Sequence, residues 1–449
     1  ATTLSTATQG YNVAINAGGT ITNAVTFSNS GTVALAGTTA FTGGVTATDP
    51  SSISLNGTVT AANTGVITLG DANTGISVNG NSTVGGTSTG NITLGAATLA
   101  SGTTLTVGTG ISNAITLGTV NGSGGAPNLT INTTGVVSVG AVGSTIGTVA
   151  VTQSGGTTFN STVNAATVTL TNTTGTIAFT GALTATTLNT ANAGYNVAIN
   201  GGGTITNAVT FSNSGTLTLA GTTAFTGGVI ATAPSSRTIN GTVSAAGTGV
   251  ITLGTVSITG DSTIGGASTG QITIGAATLS DNRTLTVGAG ADTPISLSSV
   301  TGTALNSVSN LTINTTGAVT VSGAVGTDIG TVTVTKSGGT TFSSTVDAAT
   351  VTLTNTTGTI TFSGALTATT LNTAAAGYNV AINGGGTIAN VVTFSNSGTL
   401  TLAGTTAFTG GVTATAPSSK TINGTITAAG TGVINLGTTG VTVSGNSTV

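Results

Sequence analysis

Residues 10–48 read GYNVAINAGGTITNAVTFSNSGTVALAGTTAFTGGVTAT, and this stretch returns almost unchanged from residue 194 and again from residue 377. The three tyrosines of the chain, Tyr11, Tyr195 and Tyr378, mark the three starts, 184 and 183 residues apart. Self-similarity at a fixed period identifies a repeat protein, and it has to be recognised before a fold is assigned. The sequence therefore divides into a lead-in that ends a preceding repeat (1–9), two full repeats (10–193 and 194–376) and a partial third repeat (377–449).

Apolar and small polar residues alternate along each repeat. Val197 and Ile199 flank Ala198, and residues 168–170 read Val-Thr-Leu. A period of two places the apolar side chains on one face of a strand, and Val and Thr favour strands over helices. Gly, Asn and Ser, which tolerate tight turns, separate the apolar segments. The pattern predicts an all-β chain of short strands.

The spacing of related strands favours a solenoid. Ile-Thr-Leu-Gly begins at Ile67, Ile92 and Ile115, at spacings of 25 and 23 residues, within the range of solenoid coils. About 20 coils stacked ~4.8 Å apart would give an elongated parallel β-solenoid on the order of 100 Å long. Right-handed coiling, a right-handed β-helix, is favoured by the crossover preference of parallel strands. The alternative is a string of tandem antiparallel β-sandwich domains, which should show hairpin turns such as Asn-Gly at regular intervals.

Composition excludes several classes of partner. Charged residues make up 2% of the chain, with a net charge of -3, whereas nucleic-acid binding needs a clustered basic surface. We therefore expect no nucleic-acid partner, and no membrane-spanning segment because no run of 18 apolar residues occurs. Cys, His, Met and Trp are absent, which leaves few groups that oxidants attack and favours an extracellular or cell-surface location.

One segment resembles a known family. Residues 214–234 read SGTLTLAGTTAFTGGVIATAP and recur at 397–417 with Thr in place of Ile230. The Gly-Thr-Leu-Thr-Leu run at 215–219, Phe225 and the Thr-Gly-Gly at 226–228 resemble the autotransporter-associated β-strand repeat. The Thr-, Asn- and Gly-rich remainder is similar to filamentous-haemagglutinin-type β-helix passengers. The resemblance implies a bacterial surface or secreted β-helix.

The polar residues give no pattern typical of an active site. The aspartates occur singly and change between repeats: Asp49 is replaced by Ala, and Asp261 and Asp347 by Asn. Carbohydrate-cleaving sites need paired acids, and a triad needs a base that this His-free chain does not contain. We expect solvated turn aspartates, no catalytic residue, no metal ligand and no cofactor, and hence no enzyme. Arg237 and Lys420 follow Pro-Ser-Ser, where the first repeat has Ile53, and this position is expected in a surface loop.

The first hypothesis for function is a structural solenoid that forms a surface fibre, stalk or matrix filament such as that of a biofilm. Its nearly neutral surface offers little charge repulsion, so we expect self-association, either lateral or end to end. The alternative is an adhesin passenger with a cell-surface or glycan ligand. Rows of Thr raise a third possibility, an ice-binding solenoid, although irregular coil lengths are expected to disturb a regular row.

Overall fold

The computed structural model describes residues 1–303, 308–438 and 440–449, with Thr327 described by its backbone alone. The described chain contains no helix, and its parallel stacked strands form a β-solenoid of about 21 turns. The prediction of a β-solenoid is thus confirmed. The alternative of antiparallel sandwiches is wrong, because the strands pair in parallel with partners about one turn away in sequence, as Ile92 does with Ile67 and Ile115.

The chain falls into two compact units: unit 1 comprises Ala1–Thr223 and Ala233–Ser235, and unit 2 comprises Ala224–Thr232 and Ser236–Val449. The strands up to residue 225 are β1 Val13–Ile15, β2 Gly19–Ile21, β3 Val25–Thr26, β4 Thr32–Phe41, β5 Gly44–Ala47, β6 Ser52–Ala61, β7 Val66–Leu69, β8 Gly75–Val78, β9 Ser82–Gly86, β10 Ile92–Leu94, β11 Ala97–Leu99, β12 Thr104–Val107, β13 Ile115–Leu117, β14 Val120–Gly122, β15 Asn128–Asn132, β16 Val137–Val139, β17 Val142–Ser154, β18 Thr157–Phe159, β19 Val163–Thr173, β20 Thr176–Phe179, β21 Leu183–Thr190, β22 Asn196–Ile199, β23 Gly203–Ile205, β24 Val209–Thr210 and β25 Thr216–Phe225.

The remaining strands are β26 Val229–Ala231, β27 Ser236–Ala245, β28 Ile251–Leu253, β29 Val256–Ile258, β30 Ser262–Gly266, β31 Ile272–Ile274, β32 Ala277–Leu279, β33 Thr284–Val287, β34 Ile295–Leu297, β35 Val300–Gly302, β36 Ser309–Asn314, β37 Val319–Val321, β38 Val325–Ser337, β39 Thr340–Phe342, β40 Val346–Thr356, β41 Thr359–Phe362, β42 Leu366–Thr373, β43 Asn379–Ile382, β44 Gly386–Ile388, β45 Val392–Thr393, β46 Thr399–Phe408, β47 Gly411–Thr413, β48 Ser419–Thr427, β49 Val433–Asn435 and β50 Val441–Val443.

Each turn of unit 1 has three sides, and strands on one side pair from turn to turn to form a row. We name each row by its first inward residue. The Val13 row contains Val13, Val33, Ile53, Ile76, Ala97, Val120, Val142, Val163, Leu183 and Gly203. The Gly19 row contains Gly19, Thr39, Val59, Val84, Val107, Ile131, Val151, Leu170 and Thr190. The Val25 row contains Val25, Val45, Ile67, Ile92, Ile115, Val137, Thr157, Ile177, Val197 and Leu217.

Unit 2 is built in the same way. The Val229 row contains Val229, Ile251, Ile272, Ile295, Val319, Thr340, Ile360, Val380, Leu400, Lys420 and Val441. The Val243 row contains Val243, Ile264, Val287, Ile313, Val334, Leu353 and Thr373. The Val256 row contains Val256, Ala277, Val300, Val325, Val346, Leu366, Gly386, Thr406 and Ile426.

The core is a column of inward side chains that continue from one turn to the next. Most are Val, Ile and Leu, and two pairs of stacked phenylalanine rings also lie in the column. The rings of Phe159 and Phe179 are parallel with centroids 4.9 Å apart, and those of Phe342 and Phe362 are 5.1 Å apart. Aromatic ring pairs can add to the stabilisation that comes from burial alone.

Glycine is required where neighbouring turns come closest. Gly18 and Gly202 occupy equivalent corners of successive repeats, with φ of 71° and 66°. A Cβ at Gly202 would lie 2.2 Å from the carbonyl oxygen of Thr222 on the next turn, and the corresponding gap at Gly18 is 2.0 Å. Only glycine adopts this left-handed conformation without strain and leaves room for the adjacent backbone.

Candidate functional site

Rows of hydroxyl side chains cover the outside of the Val25 and Val229 rows. The residue that directly follows each inward row residue points outward, because strand side chains alternate between the two faces. In unit 1 these outward residues are Thr26, Thr46, Thr68, Thr93, Thr116, Ser138, Thr158, Ala178, Ala198 and Thr218. In unit 2 they are Ile230, Thr252, Thr273, Ser296, Thr320, Thr341, Thr361, Ala381, Thr401, Thr421 and Thr442. None of these positions holds a charged residue, and we call the two sets the hydroxyl rows.

The hydroxyl rows remain regular although the turns differ in length. Paired residues lie between 19 and 26 positions apart, as with Thr148 and Thr167 or Val287 and Ile313. Among the described residues, the additional positions lie between the strands, so the short strands of the Val25 row pair without a register shift. Irregular coil length therefore leaves the strand register on this side unchanged.

The expectation that Arg237 lies in a surface loop is wrong. Arg237 belongs to β27 and is only 7% exposed. The next residue, Thr238, pairs with Ser257, so Arg237 is level with Val256 in an aliphatic part of the core. The guanidinium donates hydrogen bonds to the carbonyl oxygens of Ala231 and Thr232, and to that of Thr255 at 3.2 Å. Burial lowers the pKa of the Arg237 guanidinium.

In the first repeat, a hydroxyl group and not a cation supplies the hydrogen-bond donor to the carbonyl oxygens of this corner. This repeat has Ile53 at the position of Arg237, and a longer corner carries Thr74 into the interior, where its side chain is 2% exposed. The Thr74 hydroxyl lies 2.7 Å from the carbonyl oxygen of Thr48 and 2.6 Å from that of Pro50. Asp71 holds this corner by accepting a hydrogen bond from the Thr74 backbone N–H at 2.8 Å. Arg237 thus replaces the inserted threonine where the corner of the second repeat is shorter.

Lys420 occupies the corresponding position in the third repeat and is also buried. Its side chain is 3% exposed, and its neighbours in the row are Leu400 and Val441. The surface-loop interpretation is therefore wrong for Lys420 too. The alternation in Ser-Arg-Thr-Ile and Ser-Lys-Thr-Ile, aligned on Ile-Ser-Leu at Ile53, places both cations on the inward face. That alternation was the sequence signal for burial, and it outweighs the usual preference of Arg and Lys for the surface.

Two tyrosines are buried with their hydroxyl groups satisfied. The Tyr195 hydroxyl accepts a hydrogen bond from the Ala191 backbone N–H at 3.0 Å and donates one to the Leu170 carbonyl oxygen at 3.1 Å. Tyr378 has equivalent partners. Burial raises the pKa of Tyr195 to about 12 and raises the pKa of Tyr378 as well. These hydroxyls connect one turn to the turn before it.

The aspartates serve local structure at several positions. Asp261 accepts a hydrogen bond from the Thr284 backbone N–H at 3.0 Å, and Asp281 accepts one from the Thr303 hydroxyl at 2.7 Å. Asp347 lies within β40 and is not in a turn, which corrects the expectation for that residue. Among residues 1–303, 308–438 and 440–449, no group of three or more Asp, Glu, His or Cys side chains could hold a metal ion.

A groove on unit 1 is lined by residues from five successive turns, between Ala126 and Thr206. Its volume is about 320 Å³, and its polar lining includes Ser144, Thr145, Asn164, Thr184 and Thr206. Hydroxyl and amide groups of this kind both donate and accept hydrogen bonds. The groove can therefore hold a small polar ligand on a neutral surface.

Comparison with protein-family models, curated proteins and solved structures finds no match to this chain. The β-solenoid is consistent with the β-helix that the autotransporter and haemagglutinin resemblance implies. Within the described residues, no helix is long and apolar enough to cross a membrane.

Proposed function

We propose that this chain is a structural, non-enzymatic β-solenoid of an extracellular filament, stalk or matrix fibre. The supporting observation is the continuity of the pairing within each unit. In unit 1, the Val25 row joins ten successive strands without a register shift. In such a stack each turn contacts its neighbours, so the chain grows lengthwise without a new core for each repeat.

The surface composition supports the same role. A low charge density leaves little electrostatic repulsion between neighbouring chains, and 2% of residues here are charged. Outward hydroxyl groups hydrate the strands and can also form hydrogen bonds to another surface. These properties suit a long-lived assembly outside the cell.

Immunogold electron microscopy of intact source cells tests the proposal. Antibodies against unit 2 should label filaments or matrix outside the cell envelope, and cells that lack the gene should show neither label nor filament. Label confined to the cell interior would contradict the proposed function. Labelling of permeabilised cells provides the matched control for antibody access.

The groove of unit 1 favours a second candidate, an adhesin that binds a glycan. Its volume of about 320 Å³ falls at the lower end of the usual range for ligand sites, about 300–1,000 Å³. Glycan-array binding that is lost on Asn164→Ala, and retained on Asn189→Ala outside the groove, would support this candidate. Equal binding by the two variants would contradict it.

A further inference from the structure

The repeat does not correspond to a whole number of turns. Val13 and Val197 are equivalent in sequence, yet Val197 belongs to the Val25 row and not to the Val13 row. Eight pairings lead from Val13 to Leu183, and the chain then passes Thr190 in the Gly19 row before it reaches Val197. A repeat therefore spans eight turns and two of the three sides of the next.

Unit 2 shows the same offset independently. Val229 and Val412 are equivalent in sequence, but Val412 pairs with Val392 and Ile434 in a separate three-stranded sheet. In the turn that contains Val412, the residue in the Val229 row is Leu400. Each repeat therefore begins on a different side from the repeat before it, and the same outward sequence is presented in a new direction.

The hydroxyl row of unit 2 has the size of a specific interface. From Thr252 to Thr442 it joins ten strands. Ten strands ~4.8 Å apart and about four residues wide cover roughly 600 Å². Two such faces would bury about 1,200 Å² in total, which reaches the lower edge of the range for stable protein interfaces.

The chemistry of the row fits a second copy of the same chain. Its outward positions from Thr252 to Thr442 hold only Thr, Ser and Ala, so two copies meet without like-charge repulsion. Two copies also have the same axial spacing, because it is fixed by backbone pairing between turns. Hydroxyl groups donate and accept, so they can pair with identical groups at the same spacing.

We propose that the hydroxyl rows are docking surfaces for a second copy of this chain, bound side by side. Each hydroxyl row follows one side of its own unit, so a second copy can bind along the length of the row. This proposal rests on the filament function proposed above and specifies how its chains associate.

Sedimentation velocity of the full chain over a range of concentrations tests the proposal. The row variant carries Thr68→Lys, Thr116→Lys, Thr273→Lys and Thr320→Lys, all on the hydroxyl rows. The matched control has the same net charge but places its lysines on the neighbouring sides, through Thr83→Lys, Thr130→Lys, Thr263→Lys and Thr312→Lys. Circular dichroism and thermal unfolding establish that both variants retain the fold.

We expect concentration-dependent association of the wild type and the control. The row variant should associate at least about 30-fold more weakly, because like charges face each other across the interface. Equal weakening of both variants would overturn the proposal, since it would indicate a net-charge effect. A wild-type chain that stays monomeric would also overturn the proposal. If that monomer retards ice growth, the hydroxyl rows would be assigned to ice binding instead. If the purified chain is monomeric but antibodies against it still label extracellular filaments, the lateral docking is overturned and the filament function is left intact.

Discussion

Replacing the buried cation Arg237 by Met should open the corner of the second repeat. Met keeps an apolar chain about as long as the stem of Arg but cannot donate hydrogen bonds. The carbonyl oxygens of Ala231, Thr232 and Thr255 would lose the guanidinium that they now share. The cost therefore arises mainly from acceptors that remain buried without this donor.

The expected magnitude follows from those three acceptors. A buried polar group left unsatisfied costs about 1–3 kcal/mol, and three carbonyl oxygens lose a donor here. At about 1 kcal/mol each, Arg237→Met should lower the local free energy of opening by about 3 kcal/mol. A loss of ~3 kcal/mol accelerates amide exchange from the open state by more than about 100-fold.

Hydrogen exchange of the full chain, read by mass spectrometry across β27 to β29, measures this effect. The exposed cation Arg283 provides the control, and Arg283→Met should change stability by no more than about 0.5 kcal/mol. A rescue variant combines Arg237→Ile with the longer corner of the first repeat, so that residues 71–75 replace Thr255. It should recover most of the protection. Unchanged exchange in Arg237→Met, or no recovery in the rescue variant, would refute the role assigned to this cation.

Three further predictions follow from burial. Trypsin should cut the folded chain at exposed Arg283 before Arg237, which is 7% exposed; mass spectrometry of early fragments checks this, and simultaneous cleavage would contradict it. Because phenolate forms more readily in the unfolded chain (pKa ~10) than at Tyr195 in the folded chain (pKa about 12), stability should be full below pH ~10 and fall as the pH approaches about 12. The thermal midpoint against pH measures this, Tyr195→Phe should reduce the alkaline loss, and an unchanged profile would argue against it. Phe159→Ala should cost about 3–5 kcal/mol, because it removes a fully buried stacked ring, and denaturant unfolding that matches wild type would count against that packing.

The sequence was sufficient for the fold because one rule governs nearly every strand. The alternation at residues such as Val197 and Ile199, together with coil-length spacing between Ile67 and Ile92, specified parallel stacked turns. The sequence could not show that successive repeats begin on different sides. That offset depends on the summed lengths of all the corners in a repeat, which only the pairing register reveals.

The buried cations show a conflict between two sequence signals. Residue type predicts exposure for Arg237 and Lys420, whereas the alternation that aligns both with Ile53 predicts burial, which the structure shows. Their burial also depends on corner length, because in the longer corner of the first repeat Thr74 reaches the carbonyl oxygen of Thr48, which is equivalent to that of Thr232. Pairing and hydrogen bonds with the adjacent turns hold Arg237 and Lys420 in the interior.

Disulfide mapping tests the parallel stacking of turns most directly, because the chain contains no cysteine of its own. Thr93 and Thr116 are in-register partners on successive turns, and a disulfide forms when Cα atoms lie about 4.4–6.8 Å apart. Ser138 lies one turn further, so its Cα is roughly 9.6 Å from that of Thr93. Mild oxidation should close an intramolecular disulfide in Thr93→Cys with Thr116→Cys and leave Thr93→Cys with Ser138→Cys reduced. Failure of the first pair to close, or closure of the second alone, would contradict the stacked solenoid.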